Sequence, residues 1–377
     1  MTTECGLVLA GAVAKGGFHA GALQAIAAQE RVQVTRVVGA SAGALCAAVY
    51  GAGVAVGDPK TAAQVTERLW RKDGGLFGFL RPDPLGFIRG QGLSNTRRVH
   101  HLVKTAIDEV MGPPGRFTDD QLREVGVGLV VTDVLGRSPD GCASDLSGPT
   151  RRIAAERGAS ERLLCFTAKD YNDDAQRDRI SQAAAASATF PFLFTPTTID
   201  GHLYIDGGAV NNAPLSYIFE GATARRPIVI TAEPALVKPP RNVGGTWLLS
   251  HMVAILLNER LVRDLERADK VNDKMRRLQD VLQRLDIAPH VRQEIVEALG
   301  WSTIEHPVVI RPREELPGGA FQGFFSAKLR RDYIHAGSEC AQAAMTELGG
   351  KGARRSAPIA DGADKRRAST LVAPPAG

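Results

Sequence analysis

Through the first fifty residues, short apolar runs alternate with glycine-rich turns and alanine-rich stretches. Residues 6–10 form one apolar run, 11–17 a turn and 18–29 a helix-forming stretch; residues 34–39 then repeat the run and 42–50 the helix. That order predicts two parallel strands, each followed by a helix. Residues 125–132, 162–167, 203–205 and 227–232 are further strand candidates, with helical patterns between several of them. The pattern therefore predicts an α/β chain, a three-layer α/β/α sandwich around a mainly parallel central sheet, with a helical C-terminal addition. Functional loops in such a sheet lie at the C-terminal ends of its strands.

Two later stretches depart from this rhythm. Between Trp70 and Arg89 runs Gly74-Gly75-Leu76-Phe77-Gly78-Phe79-Leu80, followed by Pro82, Pro84 and Phe87, a composition suited to a lid, to the wall of an apolar pocket, or to a loop packed on the core. From residue 256 to 285, Leu257, Leu261, Leu265, Ala268, Val271, Met275, Leu278, Leu282 and Leu285 recur at helical spacing among many charges. This predicts a long amphipathic helix that covers its own domain, dimerises or lies on a membrane. No repeat of solenoid period stands out. The expected division is residues 1–235 as an α/β catalytic-size domain, 236–348 as a helical region packed on it, and 349–377 as a basic, disordered tail.

Composition narrows the class. The chain has 377 residues, 44% hydrophobic and 23% charged, which excludes disorder throughout and a disulfide miniprotein. The net charge of +5 is concentrated at the end: residues 351–377 carry six basic and two acidic side chains, leaving the rest near neutral. No basic face with interleaved aromatic residues is visible, so nucleic acid is not an expected partner. Cys5, Cys46, Cys142, Cys165 and Cys340 are odd in number and scattered, without a metal-ligand spacing, and read as reduced, mostly buried thiols. The first five residues lack a positive n-region and include Glu4, and the apolar stretch after them stops at Lys15, so no cleaved signal peptide is expected. No apolar stretch approaches the ~20 residues that span a bilayer, so a cytoplasmic location or a peripheral membrane contact is expected.

Three elements can carry chemistry. Gly39-Ala40-Ser41-Ala42-Gly43 is a G-x-S-x-G pattern between an apolar run and a helix former, the setting a nucleophilic serine on a tight strand-to-helix turn requires. Glycine is needed on both sides because bulk there would strike the backbone that lifts the hydroxyl. The bare pattern also arises by accident in a chain with 40 glycines. The second element, Gly11-Ala12-Val13-Ala14-Lys15-Gly16-Gly17, follows the first strand and opens a helix, so its N–H groups can bind a phosphate or the oxyanion of acyl transfer. It is neither a P-loop, which needs Lys then Ser or Thr after the last glycine, nor a G-x-G-x-x-G turn. The third, Asp206-Gly207-Gly208, ends a strand and precedes Asn211, Asn212 and Pro214; it is either a plain turn or a carboxylate base at the sheet edge.

In this order the three elements resemble the patatin-like phospholipase family, with its glycine-rich oxyanion turn, G-x-S-x-G serine and distant D-G-G. Residues 185–191, with Phe192 and Phe194, resemble the segment leading to the family's aspartate strand, and residues 206–214 its D-G-G-x-x-x-N-x-P run. The resemblance spans roughly residues 5–235, with a weaker echo at 331–337. Lys15 and Gly16 match the family's basic residue and glycine, while Ala12 and Val13 stand where two glycines are common. The resemblance implies a serine acyl hydrolase of lipid or lysolipid esters, without cofactor or metal. Ser41 would be the nucleophile and Asp206 the base, with the amides of Gly11, Ala12, Val13 and Ala14 as the oxyanion hole. Gly39, Gly43, Gly207 and Gly208 would shape the turns.

A free aspartate, with a pKa near ~3.9, is a weak base for a serine unless burial raises it or the oxyanion is strongly held. A Ser–His–Asp triad through His202 or His19 is the competing assignment, although His202 precedes the aspartate's strand and His19 falls inside the first helix. Acyl transfer to an alcohol or thiol through the same serine, and a catalytically silent lipid-binding protein, are the other functional readings.

Overall fold

The computed structural model describes residues 2–79, 92–134, 160–191, 193–219, 226–235, 244–285, 287–298 and 307–349. The expected Cys142, Phe87 and Phe192, and the tail from residue 350 on, lie outside them. The first half of the chain runs β1 (Thr3–Leu9), α1 (Gly17–Ala27), β2 (Val32–Ala40), α2 (Ala42–Ala55), α3 (Pro59–Arg68), α4 (Arg97–Met111), β3 (Gly126–Asp133) and β4 (Glu161–Thr167). Then come α5 (Asp174–Ser187), β5 (Thr197–Ile199), β6 (His202–Ile205), β7 (Arg226–Ile230), α6 (Gly245–Arg284), α7 (Pro289–Ala298), β8 (Val308–Ile310) and α8 (Ala327–Gly349).

The eight strands among the described residues form one sheet, ordered β5-β6-β3-β2-β1-β7-β8, with β4 also paired to β3. Strands β3, β2, β1, β7 and β8 are parallel, as expected, whereas β4, β5 and β6 run antiparallel to their neighbours. The expected mainly parallel sheet is thus mixed at one side. There β5 and β6 form a hairpin whose two-residue turn, Asp200-Gly201, has φ of 51° and 79°, the positive values a type I′ connection demands. Residues 197–199 are too few to register as a strand by pattern.

The unbroken apolar runs of β1 and β2 follow from burial on both faces. Leu7, Leu9 and Val37 point into one hydrophobic cluster with α1, α2 and α5; Val8, Ala10, Val38 and Ala40 point into another with Leu215, Ile218 and Leu261. Alternation across the sheet therefore gives the three layers. Every residue of α2 is buried, which explains its alanine content. The long amphipathic helix is α6, starting earlier than expected at Gly245; Leu261, Met275 and Leu282 are buried, and Leu248, Met252 and Ile255 are exposed. Its middle packs on its own domain through Leu261.

α8 crosses α1 at backbone contact. A Cβ on Gly21 would lie 1.8 Å from the Ile334 carbonyl oxygen, and one on Gly337 would lie 2.0 Å from that of Phe18. Residues 331–337, the weaker echo in the sequence, are thus the partner surface of the helix that follows the Gly11–Gly17 turn. The thiols correct one expectation: Cys5 and Cys46 are buried, but Cys340 is only half-buried and Cys165 is exposed.

Candidate active site

Two strand ends meet head to head. β4 runs along one edge of β3 from Gly126 to Thr132, so β2 and β6 share the other edge. β2 runs parallel to β3 and its last registered pair is Ala40 with Val130; β6 runs the opposite way and ends with Ile205 against Thr132. The next residues, Ser41 and Asp206, are therefore delivered to the same gap beside Val131. Their side chains touch: Ser41 Oγ donates to Asp206 Oδ2 at 2.6 Å, and both residues are buried.

The serine turn is strained and tightly enclosed. Ser41 has φ 53° and ψ −127°, a conformation that costs roughly 1–3 kcal/mol and persists only where the surroundings over-determine it. A Cβ on Gly43 would lie 2.0 Å from the Leu9 carbonyl oxygen, so only glycine lets α2 start this close to β1. The Ser41 N–H donates to Ser187 Oγ at 2.9 Å, and Ser187 in turn donates to the Val130 carbonyl. Ser41 also sits at the N-terminus of α2, where the helix dipole favours developing negative charge.

Asp206 is held on three sides, by two backbone groups and one hydroxyl. Its Oδ1 accepts from the Gly208 N–H at 2.7 Å, its carbonyl accepts from Thr132 Oγ1 at 2.7 Å, and its own N–H donates to the Thr189 carbonyl at 3.0 Å. Gly207 is required because a Cβ there would meet the Val130 carbonyl oxygen at 2.0 Å. Burial pushes the Asp206 carboxyl up to about 7, against the lowering effect of the hydrogen bonds from Ser41 and Gly208. A carboxyl raised in this way is a stronger base than a free aspartate.

The turn after β1 lies against the serine: a Cβ on Gly11 would lie 3.1 Å from Ser41 Cβ and 2.0 Å from Asn212 Oδ1. The Gly11 N–H is taken by the Asn212 carbonyl and the Ala14 N–H by that of Ala320. Those of Ala12 and Val13 have no hydrogen-bond acceptor among the described residues. Val13, where the resemblance leads one to expect glycine, has φ 48°, an uncommon value for a β-branched residue. Lys15 does not face the serine; its Nζ donates to Glu233 Oε1 at 3.0 Å, and both side chains are buried. Gly16 carries the ring of Trp70, whose indole N–H donates to Cys46 Sγ at 3.1 Å.

Next to Ser41 opens an apolar pocket with an empty volume, mouth included, of about 370 Å³. Leu45, Trp70, Phe79, Phe190, Leu193 and Phe324 form much of its wall. The aromatic stretch after Trp70 thus packs on the core and walls the pocket at once, through Phe79; Leu80, Pro82 and Pro84 lie outside the described residues.

Neither histidine joins the pair. His202 opens β6 and its Nδ1 lies 3.3 Å from Asp133 Oδ2. His19 is fully buried with Nε2 3.3 Å from the Ile230 carbonyl oxygen, and burial lowers its pKa to about 4. Among the described residues no group of three or more His, Cys, Asp or Glu side chains could hold a metal ion. No helix among them is long and apolar enough to cross a membrane.

A family model for patatin-like phospholipases matches residues 7–219, more than half of the chain. The chain belongs to the patatin-like phospholipase family. Two solved structures resemble this patatin-like chain. VipD from Legionella pneumophila is 15% identical with a TM-score of 0.42, the match covering 92% of this chain and 67% of that one. The heterodimeric ExoU–SpcU complex from the type III secretion system of Pseudomonas aeruginosa is 16% identical with a TM-score of 0.30, covering 91% and 69%.

Several parts of the site come from beyond the patatin-like match: Glu233, Ala320 and Phe324. One of these left a trace in the sequence. A lysine in so apolar a turn needs a buried carboxylate, and Glu233 follows the strand candidate at 227–232. Ala320, which meets the turn through its carbonyl, left none.

Proposed function

We propose that this protein is a serine acyl hydrolase of lipid esters, with Ser41 as nucleophile, Asp206 as base and no histidine in the reaction. The observation that carries this reading is the 2.6 Å contact from Ser41 Oγ to a buried Asp206 carboxylate, at the edge of an apolar pocket. Ser41 Oγ attacks the ester carbonyl as its proton passes to Asp206 Oδ2. The tetrahedral oxyanion takes the N–H groups of Ala12 and Val13, the two in the Gly11–Ala14 set without an acceptor among the described residues. Removal of one such donor typically costs ~2.7–4 kcal/mol of barrier lowering. Asp206 returns the proton to the departing alcohol, and water then releases the acyl group from Ser41 by the same steps in reverse.

The pocket supports an acyl chain as the bound part of the substrate, since its wall is apolar and opens beside Ser41. Glycerolipids and lysolipids present such chains beside an ester. The test compares wild type, Ser41→Ala, Asp206→Asn and His202→Ala on a medium-chain p-nitrophenyl ester and a lysophospholipid. Loss in the first two variants with retention in His202→Ala is expected. Activity in Ser41→Ala, or none in wild type on either substrate, overturns the proposal; an acyl product formed only with an added alcohol acceptor would make the enzyme a transferase.

A further inference from the structure

Among the described residues, three of the exposed large apolar side chains border one pocket, the others being Val134, Leu285 and Leu248, Met252, Ile255 and Val281 of α6. Phe77 is 80% exposed, Phe325 70% and Leu93 42%. Each adjoins the wall of the Ser41 pocket: Phe77 is two residues from Phe79, Phe325 follows Phe324, and Leu93 precedes Ser94, which exchanges backbone hydrogen bonds with Leu193 and Thr195 on either side of Phe194. The three segments are joined by arginines. Arg330 donates to the Gly323 and Phe324 carbonyls, and a Cβ on Gly75 would lie 3.2 Å from its guanidinium, so the Phe77 and Phe325 segments are neighbours. Arg98 donates from Nε to the Gly78 carbonyl at 2.6 Å, tying in the segment that follows Leu93.

The same three segments are basic. Residues 71–79, 92–98 and 321–332 carry seven Lys or Arg and two Asp. Lys72, Arg97, Arg98 and Arg331 are exposed, while Asp332 is engaged by Lys328 at 2.9 Å. Exposed aromatic rings ringed by cations around the entrance of an apolar pocket have one chemical match, a surface with an apolar interior and anionic headgroups.

We infer that Phe77, Leu93 and Phe325, with the basic side chains around them, form the edge by which the protein docks on an anionic lipid surface and draws an acyl chain into the Ser41 pocket. The function of this edge rests on the hydrolase proposed above, but its binding to lipid does not require turnover. Two phenylalanine rings moved from water into the acyl boundary supply a partition gain on the order of tenfold or more.

The experiment is sedimentation with phosphatidylcholine vesicles, with and without phosphatidylglycerol, using full-length wild type, Ser41→Ala and Phe77→Ser/Phe325→Ser. Wild type and Ser41→Ala are expected to bind the anionic vesicles equally and more tightly than neutral ones. The double variant should bind at least about tenfold more weakly while hydrolysing a short soluble ester at the wild-type rate. Binding of the double variant at wild-type strength, wild-type binding to neither vesicle, or equal binding to both overturns the inference. Should the double variant fold poorly, Phe325→Trp gives a second measure: quenching of its added fluorescence by brominated lipid supports the docking edge, and unquenched emission overturns it. Vesicle binding that is lost in the double variant, in a protein that hydrolyses no ester, would sink the hydrolase reading and leave the docking edge standing.

Discussion

In the proposed mechanism Asp206 sets stability against activity in one side chain. In the fold its carboxyl is raised from 3.8 to about 7, chiefly by burial. At roughly 1.4 kcal/mol for each pH unit, ionising it inside the protein costs roughly 4 kcal/mol more than in the unfolded chain. Because the folded-state value lies above the unfolded one, the stability tied to the neutral carboxyl is complete below about 3.8 and drains away as pH rises through about 7. Asp206→Asn keeps an acceptor for the Gly208 N–H and a polar contact for Ser41 but never ionises. Its advantage over wild type in urea unfolding should therefore widen by roughly 3 kcal/mol between about pH 4.5 and pH 8, while esterase activity falls by about 10²–10⁴-fold. Two sets of unfolding curves and one rate assay decide it. A stability gap that stays constant with pH, or narrows as pH rises, would refute the claim that this carboxylate is held at the expense of the fold.

Three other outcomes are expected. The kcat/KM for a soluble ester should rise with pH around a midpoint near 7 as Asp206 ionises, and a rate flat through that range would count against Asp206 as base. Lys15→Met should cost about 3–5 kcal/mol in urea unfolding because it strands Glu233, whereas Lys15→Met/Glu233→Leu should recover most of the loss; equal losses would show that the pair is not the source. Ala188→Phe fills the pocket beside Ser41 and should lower kcat/KM for a medium-chain ester by roughly tenfold or more, with an acetate ester little affected; parallel loss on both esters would place the acyl chain elsewhere.

Much of the framework was legible because buried parallel strands leave a plain mark. The run at 34–39 sits within β2 and that at 6–10 overruns β1 by one residue, and the small residues around Ser41 reflect carbonyls about 2 Å from where a Cβ would stand. Ser41 and Asp206 could be named because each ends an apolar run at a glycine turn. What joins them was not legible. The head-to-head meeting of β2 and β6 depends on β6 running antiparallel, which hinges on the Asp200-Gly201 turn and a three-residue strand. The supports of the pair, Ser187, Thr132 and Thr189, are ordinary hydroxyl residues whose roles arise from tertiary contact alone. His202 and Asp133 lie 69 positions apart, so no local spacing announces their pairing.

The turn that cradles the serine is clasped by residues more than three hundred positions downstream: Ala320 holds the Ala14 amide, Gly323 abuts the Ala14 carbonyl, and α8 crosses α1 glycine against backbone. During synthesis, then, a ribosome that has released the strands, the serine and the aspartate has still not released the clasp. A site built this way stays unfinished on the nascent chain and is completed only when residues 320–337 have emerged and fold back on the first turn and helix.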